Sequence, residues 1–258
     1  MRPRERIAAA IRAAAAQGEP ALVAFITGGY PQRERFREHL AAVAAGAEVV
    51  EIGVPFTDPM ADGMTIQRSS HAALSQGVTL QWIFDELKAM RRPDKPLLLM
   101  SYLNPLLSYG FERLATASAA AGVCGFIVPD LPFDESGDLR AALDPQGLAL
   151  VQMVTPVTPA ARLAKLCAAS QGFVYAVTMT GTTGKSVELP PDMLDYLKRV
   201  RAAATVPVCA GFGIRSREQV ERLRGSVDGV VIGSALVEVL ERGESAQAWL
   251  ATLRPAVR

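Results

Sequence analysis

An α/β fold of eight strand–helix repeats closed into a barrel is what this sequence predicts, and three observations predict it. Eight short apolar runs recur along the 258 residues without the apolar/polar alternation of a sheet that has one wet face. Near-continuous apolar runs mark parallel strands buried on both faces. Amphipathic helical segments separate the runs, and about 250 residues is the usual length of such a (β/α)8, or TIM, barrel. An open doubly wound sheet is the competitor. No Gly-x-Gly-x-x-Gly follows the first run, however, and eight regular repeats fit closure better. No linker-like or low-complexity stretch intervenes, so residues 1–258 are expected to form a single domain.

The first segment, "MRPRERIAAAIRAAAAQG", is basic and Ala-rich like a targeting peptide. Arg12 interrupts its apolar run, and Ile7 and Ile11 share one helical face, so it is expected to be a helix capping the body of the fold. The strands follow as "ALVAFIT" (21–27), "EVVEIG" (48–53), "PLLLMSY" (96–102), "GFIVPD" (125–130), "ALVQMVT" (149–155), "FVYAVT" (173–178), "VPVCAGFG" (206–213) and "GVVIGSA" (229–235). Between them, "RERFREHLAAVAAG", "LQWIFDELKAMRR", "PAARLAKLCAAS" and "PPDMLDYLKRVRAAA" carry apolar residues at helical spacing.

Composition narrows the function classes. Lys plus Arg number 27 against 26 acids, a net charge of +1, so neither nucleic acid nor an anionic membrane surface is expected as a partner. No long uncharged apolar stretch predicts a membrane span. Cys124, Cys167 and Cys209 are odd in number, lack any Cys-x-x-Cys spacing and lie in apolar runs. They read as buried free thiols of a soluble cytoplasmic protein. His39 and His71 are the only histidines, both in predicted helices, so no metal site is expected.

In such barrels chemistry sits where strands end, so residues at those ends belong together wherever they fall in sequence. "EIGVPFTDPMADG" (51–63) carries Glu51, Asp58 and Asp62 with no Lys, Arg or His among them. Alternation with Val50 and Ile52 decides whether Glu51 points into the barrel; Glu48 has the opposite parity. A buried Glu51 would have its pKa raised, which suits a group that both accepts and donates a proton. The alternative is a structural Glu bonded to backbone or to a tyrosine. Asp62 is expected to be better solvated and more readily ionised, accepting from a substrate N–H and balancing positive charge there. Asp58, before Pro59, reads as a turn residue. Asp130 is a strand-end acid of no assigned role, and Tyr102 and Tyr175 are strand-end phenols for which packing is an equal explanation.

Three glycine sets close the later strands: Gly181 to Gly184 with Thr183 between, Gly211-Phe212-Gly213, and Gly233-Ser234 at the start of a helix. Backbone N–H groups free of side-chain bulk, with a helix dipole behind them, suit a phosphate. Glycines also shape turns, but three sets at adjacent strand ends favour the phosphate. Ser101 and Lys185 lack the partners of an activated nucleophile, and no Lys stands at a strand end for a Schiff base.

These residues, in this order, resemble the tryptophan synthase α-subunit family over roughly residues 5–245. "EIGVPFTDPMADGMTIQ", "MSYLNPLLSYG", "GFIVPDLPFDES", "GFVYAVTMTGTTG", "GFGIRSREQV" and "DGVVIGSALV" carry the resemblance. It implies retro-aldol cleavage of indole-3-glycerol phosphate to indole and glyceraldehyde 3-phosphate, with no cofactor in this subunit. It further implies delivery of indole to a β subunit carrying pyridoxal phosphate (PLP), in an α2β2 complex. By motif position Glu51 resembles the catalytic acid/base and Asp62 the group facing the indole nitrogen. Tyr175 resembles the neighbour of the catalytic Glu, and Phe212 an indole-pocket wall. Thr183, Gly184, Gly211, Gly213, Gly233 and Ser234 resemble the phosphate-binding set. Pro55, Phe56 and Asp58 of the second loop, with Asn104 and Pro105 of the third, are expected to meet the β subunit. Thr182 and Met64 depart from the family, which commonly has an aliphatic residue and Pro there. Another phosphosugar barrel enzyme, or a purely allosteric partner of a β subunit, would explain less of the Glu51/Asp62 pair.

Overall fold

The computed structural model describes residues 1–178, 192–211 and 213–254. Among them, eight strands each pair in parallel with the next, and the last pairs with the first to close a barrel. They are β1 (Ala21–Thr27), β2 (Val49–Gly53), β3 (Leu97–Met100), β4 (Val123–Ile127), β5 (Ala149–Val154), β6 (Val174–Val177), β7 (Val208–Gly211) and β8 (Gly229–Ile232). α1 (Pro3–Ala16) precedes the barrel, and α2 (Phe36–Gly46) joins β1 to β2. Two helices follow β2, α3 (Met64–Ser75) and α4 (Leu80–Ala89), and two follow β3, α5 (Leu103–Tyr109) and α6 (Phe111–Ala121). α7 (Gly137–Leu143), α8 (Ala160–Ala169), α9 (Met193–Ala203) and α10 (Arg217–Leu223) follow β4 to β7 in turn. The chain ends its described part in α11 (Ser234–Glu241) and α12 (Ala246–Thr252).

The eight predicted strands are all present, with shifted ends. The fourth begins at Val123, two residues earlier than expected, and stops at Ile127. Gly122, in the left-handed region at φ 78°, ends α6 and turns the chain straight into the strand. The third strand stops at Met100 because Leu103 already opens α5. The helix predicted through Arg92 ends at Ala89, where Met90 turns extended.

Alternate residues of the strands feed two separate cores. Leu22, Ala24, Ile26, Val50, Ile52, Leu97 and Leu99 point outward and pack under the helices. Val23, Val49, Leu98, Val151, Tyr175, Cys209 and Val231 point inward and fill the barrel. α1 joins the inner core: Ile7 and Ile11 are fully buried among these residues, each contributing about 1.5–3 kcal/mol by its burial. Pro3 opens this helix, and the Glu5 carboxylate accepts from the Arg2 N–H at 2.9 Å. With α1 plugging one end, the barrel opens at the other, where the strands finish. All three cysteines are buried and free.

Candidate active site

The inward parity of Val49 carries Glu51 with it, one step further along β2 and level with Phe25 of β1 and Leu98 of β3. Glu51 is 1% exposed and lines a cavity of about 650 Å³, open mouth included, at the strands' carboxyl ends. Its walls hold Asp62, Tyr175, Gly213, Gly233 and Ser234, with Phe25, Ile66, Met100 and Met153 as apolar lining. The Oε2 atom of Glu51 has no hydrogen-bond partner among the described residues. Burial, with the nearby Asp62 charge second, pushes its pKa up to about 8. A carboxyl held to the fold through this oxygen by backbone or tyrosine would have been bonded; here the oxygen has no such partner, in a residue that lines the cavity.

Asp62 departs from expectation. It is half-buried, and burial pushes its pKa up to about 6, offset in part by the Tyr102 hydroxyl. That hydroxyl donates to Asp62 Oδ2 at 3.1 Å and accepts from the Ala61 N–H at 2.8 Å. Gln67 donates to the Asp62 carbonyl at 2.8 Å, and Tyr102 stacks on Phe56 with ring centroids 5.2 Å apart. The loop is thus pinned to the next repeat, and solvent is partly excluded from its carboxylate. Burial raises Glu51 further than Asp62, so Glu51 is the member of the pair that keeps its proton to the higher pH.

On the β7 and β8 side of the cavity, Gly213 adopts φ 69°, a left-handed conformation that a side chain would strain. A Cβ on Gly233 would meet nothing nearer than Phe25 at 3.9 Å, so this backbone faces open cavity. Ser234 starts α11, whose positive dipole end is directed at the same space. Gly211 lies elsewhere. It is absent from the cavity wall, and a Cβ there would stand 2.3 Å from the Tyr175 hydroxyl oxygen. Its missing side chain makes the socket for the Tyr175 ring. Thr183, Gly184 and Phe212 lie outside the described residues, as do Thr182 and Lys185.

The tryptophan synthase alpha chain family pattern matches residues 11–255. The alpha chain of Nitratidesulfovibrio vulgaris (strain DP4) is 46% identical over 247 residues, 95% of this chain and 96% of that one. The Bacillus mycoides alpha chain is 44% identical over 90% of each chain. A Mycobacterium tuberculosis tryptophan synthase structure superposes with a TM-score of 0.89 at 34% identity, covering 96% of both chains. This chain belongs to the tryptophan synthase alpha chain family. It is a carbon–carbon lyase of tryptophan biosynthesis that cleaves indole-3-glycerol phosphate.

For a member of this family, the sequence missed three things that the fold supplies. Tyr102, 40 residues from Asp62, anchors it; its place just beyond a strand end was the only signal. Asp130 accepts from the Leu103 N–H at 2.9 Å and so fixes the start of α5. The apolar wall of Phe25, Met100 and Met153 was hidden in strands that are apolar throughout. Asp58 is exposed, and its carbonyl accepts from the Met60 N–H at 2.8 Å in the expected turn. Asn104, exposed, and Pro105, half-buried, lie not in a loop as expected but in the first turn of α5; in the second loop Phe56 is half-buried and Pro55 is buried.

Proposed function

We propose that Glu51 carries both proton transfers of the cleavage and that Asp62 stabilises the charge formed between them. Protonated Glu51 donates to the indole ring carbon that bears the side chain, leaving the ring cationic. The resulting carboxylate takes the proton of the adjacent glycerol hydroxyl as the carbon–carbon bond breaks. That bond's electrons return to the ring, the hydroxyl carbon becomes the aldehyde, and Glu51 is protonated again. Asp62 accepts from the ring N–H and is worth most to the cationic intermediate, in a cavity from which water is partly excluded. The Gly213 and Gly233-Ser234 end of the cavity holds the phosphate, and Tyr175 walls the reacting centre. The observation that carries this assignment is a buried Glu51 with an unpartnered Oε2, in the wall of the cavity that Asp62 also lines. The steps use this chain's carboxyl groups and call on no cofactor of its own.

The test is indole release from indole-3-glycerol phosphate by the purified chain and by Glu51→Gln. Turnover by the variant above about a tenth of wild type would move the proton transfers elsewhere, since a general acid–base group contributes about 10²–10⁴-fold. We further propose that the mouth docks on a PLP-dependent β subunit, as α2β2, in the cytoplasm. Support comes from the exposed apolar side chains of Met60, 80% exposed, on the loop that carries Asp58, and Leu107, 53%, on α5 with Asn104. Asn104→Ala should weaken β association in sedimentation; unchanged association would exclude this face.

A further inference from the structure

Three chain segments meet in the proposed site: the loop bearing Asp62, which runs into α3; the loop after β7 with Gly213; and the start of α11 at Ser234. The Glu238 carboxylate, one turn into α11, ties the first two to its own helix. It accepts from Arg215, two residues beyond Gly213, through both oxygens at 2.7 and 2.9 Å. It also accepts from the Thr65 hydroxyl at 3.2 Å. Thr65 is buried in the first turn of α3, three residues beyond Asp62. A second rung repeats the tie one turn on: Arg68 of α3 donates to Glu241 of α11 at 2.7 and 2.8 Å. Residues three apart lie on one helical face, so Thr65 with Arg68, and Glu238 with Glu241, bolt α3 to α11 in one register. Gln67 of α3 in turn holds the Asp62 carbonyl.

We propose that Glu238 is a positioning residue that sets the distance between the charge-stabilising end of the cavity and its phosphate end. Asp62 stands at one end of this strut, and Gly213 with the α11 N-terminus at the other. A ligand that reaches both ends benefits from their spacing, whereas a ligand of one end alone does not. Displacement by as little as about 1 Å costs on the order of 100-fold in a reaction that depends on orientation. The inference rests on the proposed site, and the bidentate Arg215–Glu238 pair supplies the directional stiffness such a strut needs.

The experiment measures three affinities for wild type, Glu238→Ala and Thr65→Val: glycerol 3-phosphate, indole, and indole-3-propanol phosphate, which spans the cavity. Thr65→Val keeps the shape and the Arg215–Glu238 pair while removing the tie to α3, and serves if Glu238→Ala fails to fold. Both variants are expected to bind the spanning ligand at least fivefold more weakly and each half within twofold of wild type. Turnover should fall more than affinity for the spanning ligand. Unchanged affinity and turnover in the variants would overturn the proposal. So would an equal loss for all three ligands, which marks general destabilisation. If wild type itself binds the spanning ligand no more tightly than its halves, the two-ended site is wrong, irrespective of Glu238.

Discussion

Replacing Glu51 by Gln should disable the enzyme and, at neutral pH and above, stabilise the fold relative to wild type. The ordinary value of this carboxyl is 4.5, and the folded protein pushes it up to about 8. Between those values the unfolded chain has released the proton and the folded one retains it. The folded state binds more protons there, so stability falls as pH rises. The contribution is complete below pH 4.5 and gone above 8. At 1.36 kcal/mol per pH unit, Glu51 costs about 1 kcal/mol at pH 5 and about 4 kcal/mol at pH 8. Gln does not titrate. Its own penalty for burying an amide, about 1–3 kcal/mol, is the same at every pH and cancels in the comparison. The stability of Glu51→Gln relative to wild type should therefore improve by about 3 kcal/mol from pH 5 to pH 8. Urea unfolding at several pH values measures this, with fluorescence and circular dichroism followed together so that coincident transitions license a free energy. A difference that stays constant within about 1 kcal/mol would refute the raised pKa, and with it the reason Glu51 is suited to both proton transfers.

Asp62→Asn should depress turnover far more than affinity for uncharged indole ligands. It should also shift the alkaline limb of kcat/KM below its wild-type position near pH 8, because the charge that helps raise Glu51 is gone; an unmoved limb would deny that coupling. Gly211→Ala places a Cβ 2.3 Å from the Tyr175 hydroxyl. It should cost about 1–3 kcal/mol of stability as an overpacked site, and removing the ring with Tyr175→Ala should recover part of that loss; strictly additive losses would disprove the contact. A Cβ at Gly233 would meet nothing nearer than Phe25 at 3.9 Å, so Gly233→Val, with folding checked by circular dichroism, should lose glycerol 3-phosphate affinity by calorimetry and keep indole affinity. Undiminished phosphate binding would move that site away from β8.

The sequence by itself determined parallel strands alternating with helices. Unbroken Val, Ile and Leu runs have no wet face to offer, so their strands must be parallel and covered by helices. Ile7 and Ile11, one turn apart, were enough to place α1 beneath them. The acids Glu51 and Asp62 and the glycines near later strand ends were legible because few other residues there carry chemistry. Closure decided the rest. Inward parity became definite for Glu51 only once β2 had neighbours at Phe25 and Leu98. Asp62, expected to be solvated, is half-buried because Tyr102 reaches it from the next repeat, and its pKa rises with the water it loses. Gly211 looks like Gly213 in sequence, yet one is the socket of an aromatic ring and the other a turn at the cavity wall. Glu238 looks like any helix-surface acid until α3 lies alongside α11. Periodicity is a property of neighbours along the chain, whereas desolvation and contact across repeats arise only between residues that folding brings together.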